Sequence, residues 1–516
     1  MAASSAFGTG QSVCYIFSAM PPVPKDAAAI ILLKDPADPK MFWVKRNPKL
    51  MFMGGFHSFP GGQLDPSDAT VPVINSDDAE SAMMRACAVR EFFEEAGVLL
   101  ARGVEKLSSD EIASLRQAVM QKEKTFNQIF EDNDLEIDAT LLIPSGRWVT
   151  PAFAPRRFDT WFFLRWLEED QEPLVIPGEL ESGEWIRPAD ALGRWNHGEI
   201  IMAPPTLHII RTLARFSDRI DHYPEALTAI PEAQRGDVLR IEFFPGIFLF
   251  PVKTNTLPPA THTNCYIVGD REVIVIDPAS PFEEEQRELA SFIDTLIAEG
   301  RRVKAIYLTH HHSDHTGGVD HLRAHLNVPV IAHEMTAERV RHSVTVDQFV
   351  EDDTIIELEG DPLWRLRVLH TPGHARGHLC FYDERTGAII TGDLVVGIGT
   401  VVIDPPEGNM QQYFDSLRRL LALPKLASLF GAHGPAIGSA RHKIEEYIVH
   451  RSTREDKIFD AVKAGAQTPA EIVAHAYTDV SPSLYWLAER STVAHLEKLE
   501  AESKVMIDSR GRFAVC

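Results

Sequence analysis

Thr309-His310-His311-His312-Ser313-Asp314-His315 follows directly on the apolar run Ala305–Leu308. A run that short, closed by a polar turn, reads as a buried strand. Helix Gly318–Leu326 follows it. Four potential ligands therefore leave one strand-to-helix turn: His310, His312, Asp314 and His315. Alternation along an extended turn sends His310 and His312 to one side. Asp314 and His315 then reach a second position about 3.5–4 Å away, the separation at which two metal ions share a site. Imidazole with carboxylate suits Zn²⁺ or a similar borderline ion. Three later strand ends complete the set. His370-Thr371-Pro372-Gly373-His374 offers His374 from a sharp turn. Thr391-Gly392-Asp393 offers a carboxylate able to bridge two ions, and Ala432-His433-Gly434-Pro435 offers His433.

Around this turn the text reads as two sheets with helices outside. A segment beginning near Val238 gives a hairpin, Cys265–Val268 with Val273–Ile276. Helix Glu283–Ala298, strand Lys304–Leu308, helix Gly318–Leu326 and strand Val328–Ile331 follow. Strands Arg365–Leu369, Leu379–Tyr382 and Ala388–Ile390 complete the pattern. After Ser452 come helices Asp456–Ala464, Pro469–Ala476 and Leu484–Ser503, then a short hairpin, Val505–Ile507 with Arg512–Val515: three helices and a wing. Before it, Ala28–Leu33 pairs with Phe42–Lys45 across the turn Asp35-Pro36-Ala37-Asp38. Helix Ser81–Ala96, strand Phe158–Trp166 and a helix opening at Ala203-Pro204-Pro205-Thr206 follow. Ser217–Gly236, charged and without periodicity, reads as a linker.

That early helix carries a second cluster. Arg90-Glu91-Phe92-Phe93-Glu94-Glu95-Ala96-Gly97-Val98 places Glu91, Glu94 and Glu95 on one helical face, where like charges repel unless a cation sits among them. Hard oxygen donors suit Mg²⁺ or Mn²⁺.

Composition narrows the classes. The chain has 516 residues, enough for about three domains, and a net charge of −23, which argues against a chain-wide nucleic-acid coat. Residues 452–516 hold eight basic and ten acidic side chains, unlike a nucleic-acid-binding wing. The five cysteines (Cys14, Cys87, Cys265, Cys380 and Cys516) never form a CxxC pair, so a disulfide framework is not expected. No apolar run approaches the ~20 residues that span a bilayer, and the N-terminus lacks a secretory pattern. The expectation is a cytoplasmic protein without membrane contact.

The His-x-His-x-Asp-His spacing, with His374, Asp393 and His433 behind it, resembles the metallo-β-lactamase superfamily. The resemblance implies one ion on His310, His312, His374 and Asp393, and a second on Asp314, His315, Asp393 and His433. It also implies a bridging hydroxide as nucleophile, placing Asp314 with the catalytic residues. Asp277 and His378 would support the ligands. Tyr447-Ile448-Val449-His450-Arg451, Arg454-Glu455 and Ala494-His495-Leu496-Glu497-Lys498-Leu499 are similar to the lactamase-β-like endoribonuclease branch, which carries a C-terminal winged helix.

The carboxylate helix resembles the second half of the Nudix box, and Ser58-Phe59-Pro60-Gly61-Gly62-Gln63-Leu64-Asp65 its entry loop. Gly62 and Arg90 stand 28 positions apart, about twice the family's spacing, and Ala82 stands where the family has Glu. Interrupted boxes and a Val44-Lys45-Arg46 lead are similar to the coenzyme A diphosphatase-like branch. The resemblance implies Mg²⁺ or Mn²⁺ on Glu94 and Glu95, with Glu91, Glu94 and Glu95 as catalytic carboxylates. Glu179 would be an extra ligand or base.

Together these readings predict a multidomain α/β and α+β chain: a Nudix-type α/β/α sandwich (1–225), a metallo-β-lactamase αββα sandwich (236–450) and a small winged helix (452–516). They predict a hydrolase with two Zn²⁺ ions per chain in one half and a Mg²⁺-dependent diphosphatase site in the other. The first site would cleave a phosphodiester or RNA, or an ester or thioester. The alternative is a glyoxalase II-like thioesterase whose Nudix-like half only binds ligand. The partner is a small-molecule or nucleotide-derivative substrate; RNA, which the charge does not favour, and a homodimer stand as alternatives.

Overall fold

The computed structural model describes residues 22–50, 52–167, 171–237 and 240–516. Cys14 and Val238 lie outside the described residues. The first unit is a seven-stranded sheet ordered His57–Ser58, Lys40–Arg46, Lys25–Lys34, Phe158–Trp166, Ile143–Val149, with Gly61–Gln63 and Leu180–Ile186 pairing alongside. The run Ala27–Leu33 is apolar at every position because both its faces are covered. Ala28, Ile30 and Leu32 meet Phe92 and Phe93 of helix Ala79–Ala96, and Ala29, Ile31 and Leu33 meet Leu207, Ile210 and Leu213 of helix Pro204–Arg215. The hairpin across Asp35–Asp38 pairs Leu32 with Phe42.

Residues 217–236 are not a free linker. Helices Tyr223–Thr228 and Pro231–Arg235 pack on strand Ile143–Val149, burying Tyr223, Leu227 and Ala233 in the same core. The two prolines open these helices, and helices of five or six residues are too short to show a period.

The second unit stacks two sheets. One is seven-stranded, running in chain order from Ile241–Phe244 to Gln348–Phe349; the other has five strands, from Ile355–Leu358 to Ser428–Gly431. Ile274, Ile276, Leu366, Val368 and Phe381 interlock between them. Helices Glu283–Ala298 and Val319–Leu326 cover one outer face, and Met410–Leu421 with Ala440–Lys463 cover the other.

The third unit gathers helices Pro469–Ala476 and Tyr485–Ala501 and hairpin Val505–Ile507 with Phe513–Val515 around Ile472, Leu496, Val505 and Phe513. Its first helix does not start at Asp456. One 24-residue helix, Ala440–Lys463, belongs to both units, so the expected junction at 450–452 falls within it. Ile444 and Tyr447 serve the sandwich, and Ile458 and Val462 the winged unit. No helix among the described residues is long and apolar enough to cross a membrane.

Candidate metal centres

His310 is fully buried at the end of strand Arg302–Tyr307, and His312 starts the short helix Ser313–Thr316. His310 Nε2 and His374 Nε2 lie 2.9 and 3.1 Å from His312 Nδ1, and His374 Nε2 lies 3.6 Å from Asp393 Oδ2. On the other side of the same carboxylate, Asp393 Oδ1 stands 3.6 Å from His315 Nε2 and 3.3 Å from His433 Nε2, with Asp314 Oδ2 3.7 Å from His433 Nε2. Two donor groups result, His310/His312/His374/Asp393 and Asp314/His315/His433, each with its donor atoms within 4.8 Å of one another. Asp393 presents one oxygen to each.

The outer ring nitrogens are occupied from behind, which fixes the tautomers. His374 Nδ1 donates to Val402 O at 2.8 Å, His433 Nδ1 to His262 O at 3.0 Å, and His315 Nδ1 to Asp277 Oδ2 at 2.8 Å. Each of these three rings therefore turns an Nε2 lone pair inward. Asp277 also accepts from Thr309 N at 2.8 Å and Thr309 Oγ1 at 2.6 Å, and it holds this position with φ +54°. His378 Nε2 accepts from Asp393 N at 3.1 Å, so it positions the carboxylate that faces both groups.

The chemistry of this donor set fits a cation. His312 Nδ1 faces His310 Nε2 and His374 Nε2 at 2.9 and 3.1 Å; one proton on it can serve only one of them, whereas a cation serves all three nitrogens. His315 Nε2 and Asp393 Oδ1 are buried without a hydrogen-bond partner, a costly arrangement that a metal ion relieves. Burial, then the neighbouring rings, lowers His310 well below the ordinary histidine range and His374 to about 4. Neutral imidazole is the ligand form. Burial opposes charge on His315 too, but Asp393 and Asp277 outweigh it and raise that ring.

The carboxylate helix lies in the first unit. Asp78 caps its start by accepting from Ser81 N at 2.7 Å, and Gly97, at φ +75°, ends it. Glu95 Oε2 accepts from Gly61 N at 2.8 Å. Gly62 passes so close to Glu91 that a Cβ there would stand 2.5 Å from the carboxyl carbon. Burial raises all three glutamates, Glu91 to about 7 and Glu95 to about 8. A cation among them would reverse that. Glu179 pairs with Arg46 at 3.1 Å and is near enough to Glu95 to help raise it.

Residues 258–433 match the Metallo-beta-lactamase superfamily, residues 73–213 the NUDT19 Nudix domain and residues 468–512 the Beta-lactamase associated winged helix domain. An atrochrysone carboxyl ACP thioesterase of Aspergillus fumigatus is 30% identical over 225 residues, 41% of this chain and 67% of that protein. The chain belongs to the metallo-β-lactamase superfamily. Lactamase-like protein aptB of Emericella nidulans is 32% identical over 198 residues, 38% of this chain, which spans 59% of that relative's length. A solved metallo-beta-lactamase family protein of Thermus thermophilus is 25% identical with TM-score 0.45, covering 53% of this chain and 100% of that one. The Nudix, metallo-β-lactamase and winged-helix domains thus stand along the chain in the order read from the sequence.

Three features escaped the sequence. Asp68 clamps Arg90 beside the glutamates at 2.7 Å. Val402 and His262 orient the His374 and His433 rings through backbone carbonyls, which carry no side-chain signal. Phe153 of the Nudix domain packs on the His262 ring, centroids 6.1 Å apart.

Proposed function

We propose that the metallo-β-lactamase domain hydrolyses an ester or thioester, and that the Nudix domain cleaves a nucleoside diphosphate derivative. Coenzyme A thioesters are the class on which both could act in sequence. The observation that carries this reading is the pair of donor groups sharing Asp393. Relatives named thioesterases favour the thioester, and the acidic balance of residues 452–516 disfavours RNA.

On this reading His310, His312, His374 and Asp393 hold one zinc-class ion, and Asp314, His315, His433 and Asp393 the other. Such ions supply Lewis acidity and lower the pKa of water at the site. The chain's own part is positioning. Asp277, Val402 O and His262 O keep protons on the outer ring nitrogens, and His378 holds the backbone of Asp393. Beside Asp314 opens a cavity of about 260 Å³, where Asn255 and Ser313 offer an amide and a hydroxyl to a carbonyl-bearing substrate. Glu94 and Glu95 would hold Mg²⁺ or Mn²⁺, with Glu91 beside them.

Thiol release from acyl-coenzyme A and acyl-carrier thioesters, measured on zinc-loaded full-length protein beside RNA and nucleoside diphosphate derivatives, tests the reading. Thioester cleavage that disappears in Asp393→Ala supports it. RNA cleavage with intact thioesters overturns the substrate class. Tight diphosphate binding without turnover under Mg²⁺ and Mn²⁺ makes the Nudix domain a binding module.

A further inference from the structure

Residues Leu64–Glu80 lengthen the stretch between the entry loop and the carboxylate helix, and about half of them, including Asp68, lie ahead of the residues matched to the Nudix domain, 73–213. In the fold part of this segment packs on the carboxylate helix. Pro66–Thr70 forms a short 3₁₀ turn packed against helix Ala79–Ala96, started by Asp65, whose Oδ1 accepts from Ser67 N at 2.8 Å. Asp68 answers across the same turn, accepting from Asp65 N at 2.9 Å.

The Asp68 side chain is wholly buried, and it grips Arg90 with both oxygens: Nε to Oδ1 at 2.7 Å and Nη2 to Oδ2 at 3.0 Å. A planar fork on a carboxylate is the strongest and most directional ion pair available to a side chain. The rest of the guanidinium is spent as well. Nη2 also donates to Gln63 O at 3.0 Å, and Nη1 donates to Glu91 Oε1 at 2.9 Å and Glu94 Oε1 at 3.4 Å. All five N–H groups of Arg90 thus meet oxygen. One face of the guanidinium is fixed by the inserted segment, and the other aligns two of the three glutamates.

We infer that Asp68 is a positioning residue for the Nudix site: through Arg90 it sets the placement of Glu91 and Glu94, so the insertion completes the metal platform. Ala82 offers no carboxylate for that task. A chain without Asp68 would leave Arg90 buried with an unmatched charge, free to swing fully onto Glu91 and Glu94 and compete with the cation for them.

This inference rests on the Mg²⁺/Mn²⁺ reading of the Nudix domain, and the two can fail separately. Mn²⁺ binding is titrated by electron paramagnetic resonance on the full chain with the other centre first saturated with zinc. Circular dichroism and the thermal midpoint are followed in parallel. Asp68→Asn keeps the shape and removes the charge, and should weaken Mn²⁺ roughly 10–100-fold, the usual effect of losing a residue that orients ligands. Asp68→Glu, which can still pair, should recover most of that affinity. Thr70→Ala removes the bond from Thr70 Oγ1 to Ser67 O, 2.7 Å, in the same turn and changes no charge; it should lower the midpoint while leaving Mn²⁺ affinity within about twofold. Unchanged affinity in folded Asp68→Asn, or equal losses in Asp68→Asn and Thr70→Ala, overturns the inference. Should Asp68→Asn fail to fold, an affinity in Asp68→Glu as weak as in an Arg90→Gln variant overturns it, and near wild-type affinity upholds it. Absence of any Mn²⁺ site in the zinc-saturated wild type overturns the Nudix reading itself, and this inference with it.

Discussion

Asp393 is the residue on which both donor groups depend, since Oδ2 faces His374 and Oδ1 faces His315 and His433. Burial alone would raise its pKa, but His433 and His315 hold it well below the ordinary carboxylate range. Asp393→Ala is expected to remove at least one of two bound transition-metal ions, read by elemental analysis of chelator-free protein, and to cut hydrolysis at least about a hundredfold, since metal-borne charge stabilisation is worth several kcal/mol. An unchanged metal content would refute the shared-carboxylate assignment. Asp277 acts one step further out, holding Thr309 and His315. Asp277→Asn should keep the fold and cost roughly 10–100-fold in metal affinity; competition with a chromophoric chelator measures it. The donor residues were legible because His310, His312, Asp314 and His315 sit within one turn, where spacing decides direction. Their supports were not. Val402 and His262 lie 28 and 171 positions from the rings they orient and act through carbonyl oxygens that every residue possesses.

Helix Ala79–Ala96 shows how an element carries its site. The sequence places it at Ser81–Ala96; its end holds, and its start lies two residues earlier, at Ala79, because Asp78 caps it. Gly97 sits at φ +75°, and a Cβ there would stand 2.8 Å from Arg116 Nη1. Arg116 in turn donates to Glu94 O, Glu95 O and Leu174 O. Gly97→Ala is therefore expected to cost about 1–2 kcal/mol of Nudix-domain stability, from strain in the left-handed region plus displacement of Arg116. Denaturant unfolding checks it, and an unchanged midpoint would count against the cap. Helix Ala440–Lys463 was legible only in part, because its buried face changes partner midway and no single period spans it. At its winged-helix end Arg454 donates to Asp479 at 2.8 and 2.9 Å and also to Ala476 O, and that hydrogen bonding lowers Asp479 to about 2. A folded pKa below the unfolded one stabilises above the unfolded value, near 4, and that contribution is lost as pH falls from 4 to 2. Asp479 is half exposed, so the effect is about 1 kcal/mol or less. Hydrogen exchange in helix Pro469–Ala476 should separate wild type from Asp479→Asn at pH 6, with the gap narrowing below pH 4 and closing only below pH 2.

At the scale of the whole molecule, the Nudix and metallo-β-lactamase domains share a core. Phe56 and Ile201 of the first are buried with Ile241 and Phe244 of the second, Trp195 Nε1 donates to Phe243 O at 3.0 Å, and Ser439 Oγ donates to Pro48 O at 2.8 Å. No sequence period reports such contacts, since each residue already fits an amphipathic element within its own domain. The two chemistries should therefore separate by point mutation but not by cutting the chain. His312→Ala is expected to abolish thioester cleavage and spare diphosphate cleavage, while Glu94→Gln does the converse, because the two sets of residues touch no common ligand. Either variant losing both activities while folded would defeat the two-site reading. A fragment of residues 1–225, by contrast, loses the partners of Phe56 and Ile201 and the burial of Leu227 and Ala233. Burying one large apolar side chain contributes ~1.5–3 kcal/mol, so exposing Phe56 and Ile201 and deleting Leu227 costs about 4.5–9 kcal/mol. Domain stabilities are only about 5–15 kcal/mol, so that fragment should be aggregation-prone and lack a cooperative melt. Extending it to residue 237 restores Leu227 and Ala233 beneath strand Ile143–Val149 and should recover part of the transition, with the remaining deficit tracing to Phe56 and Ile201. A cooperative melt of the 1–225 fragment within a few degrees of the Nudix transition in the full chain would show that the shared core contributes little.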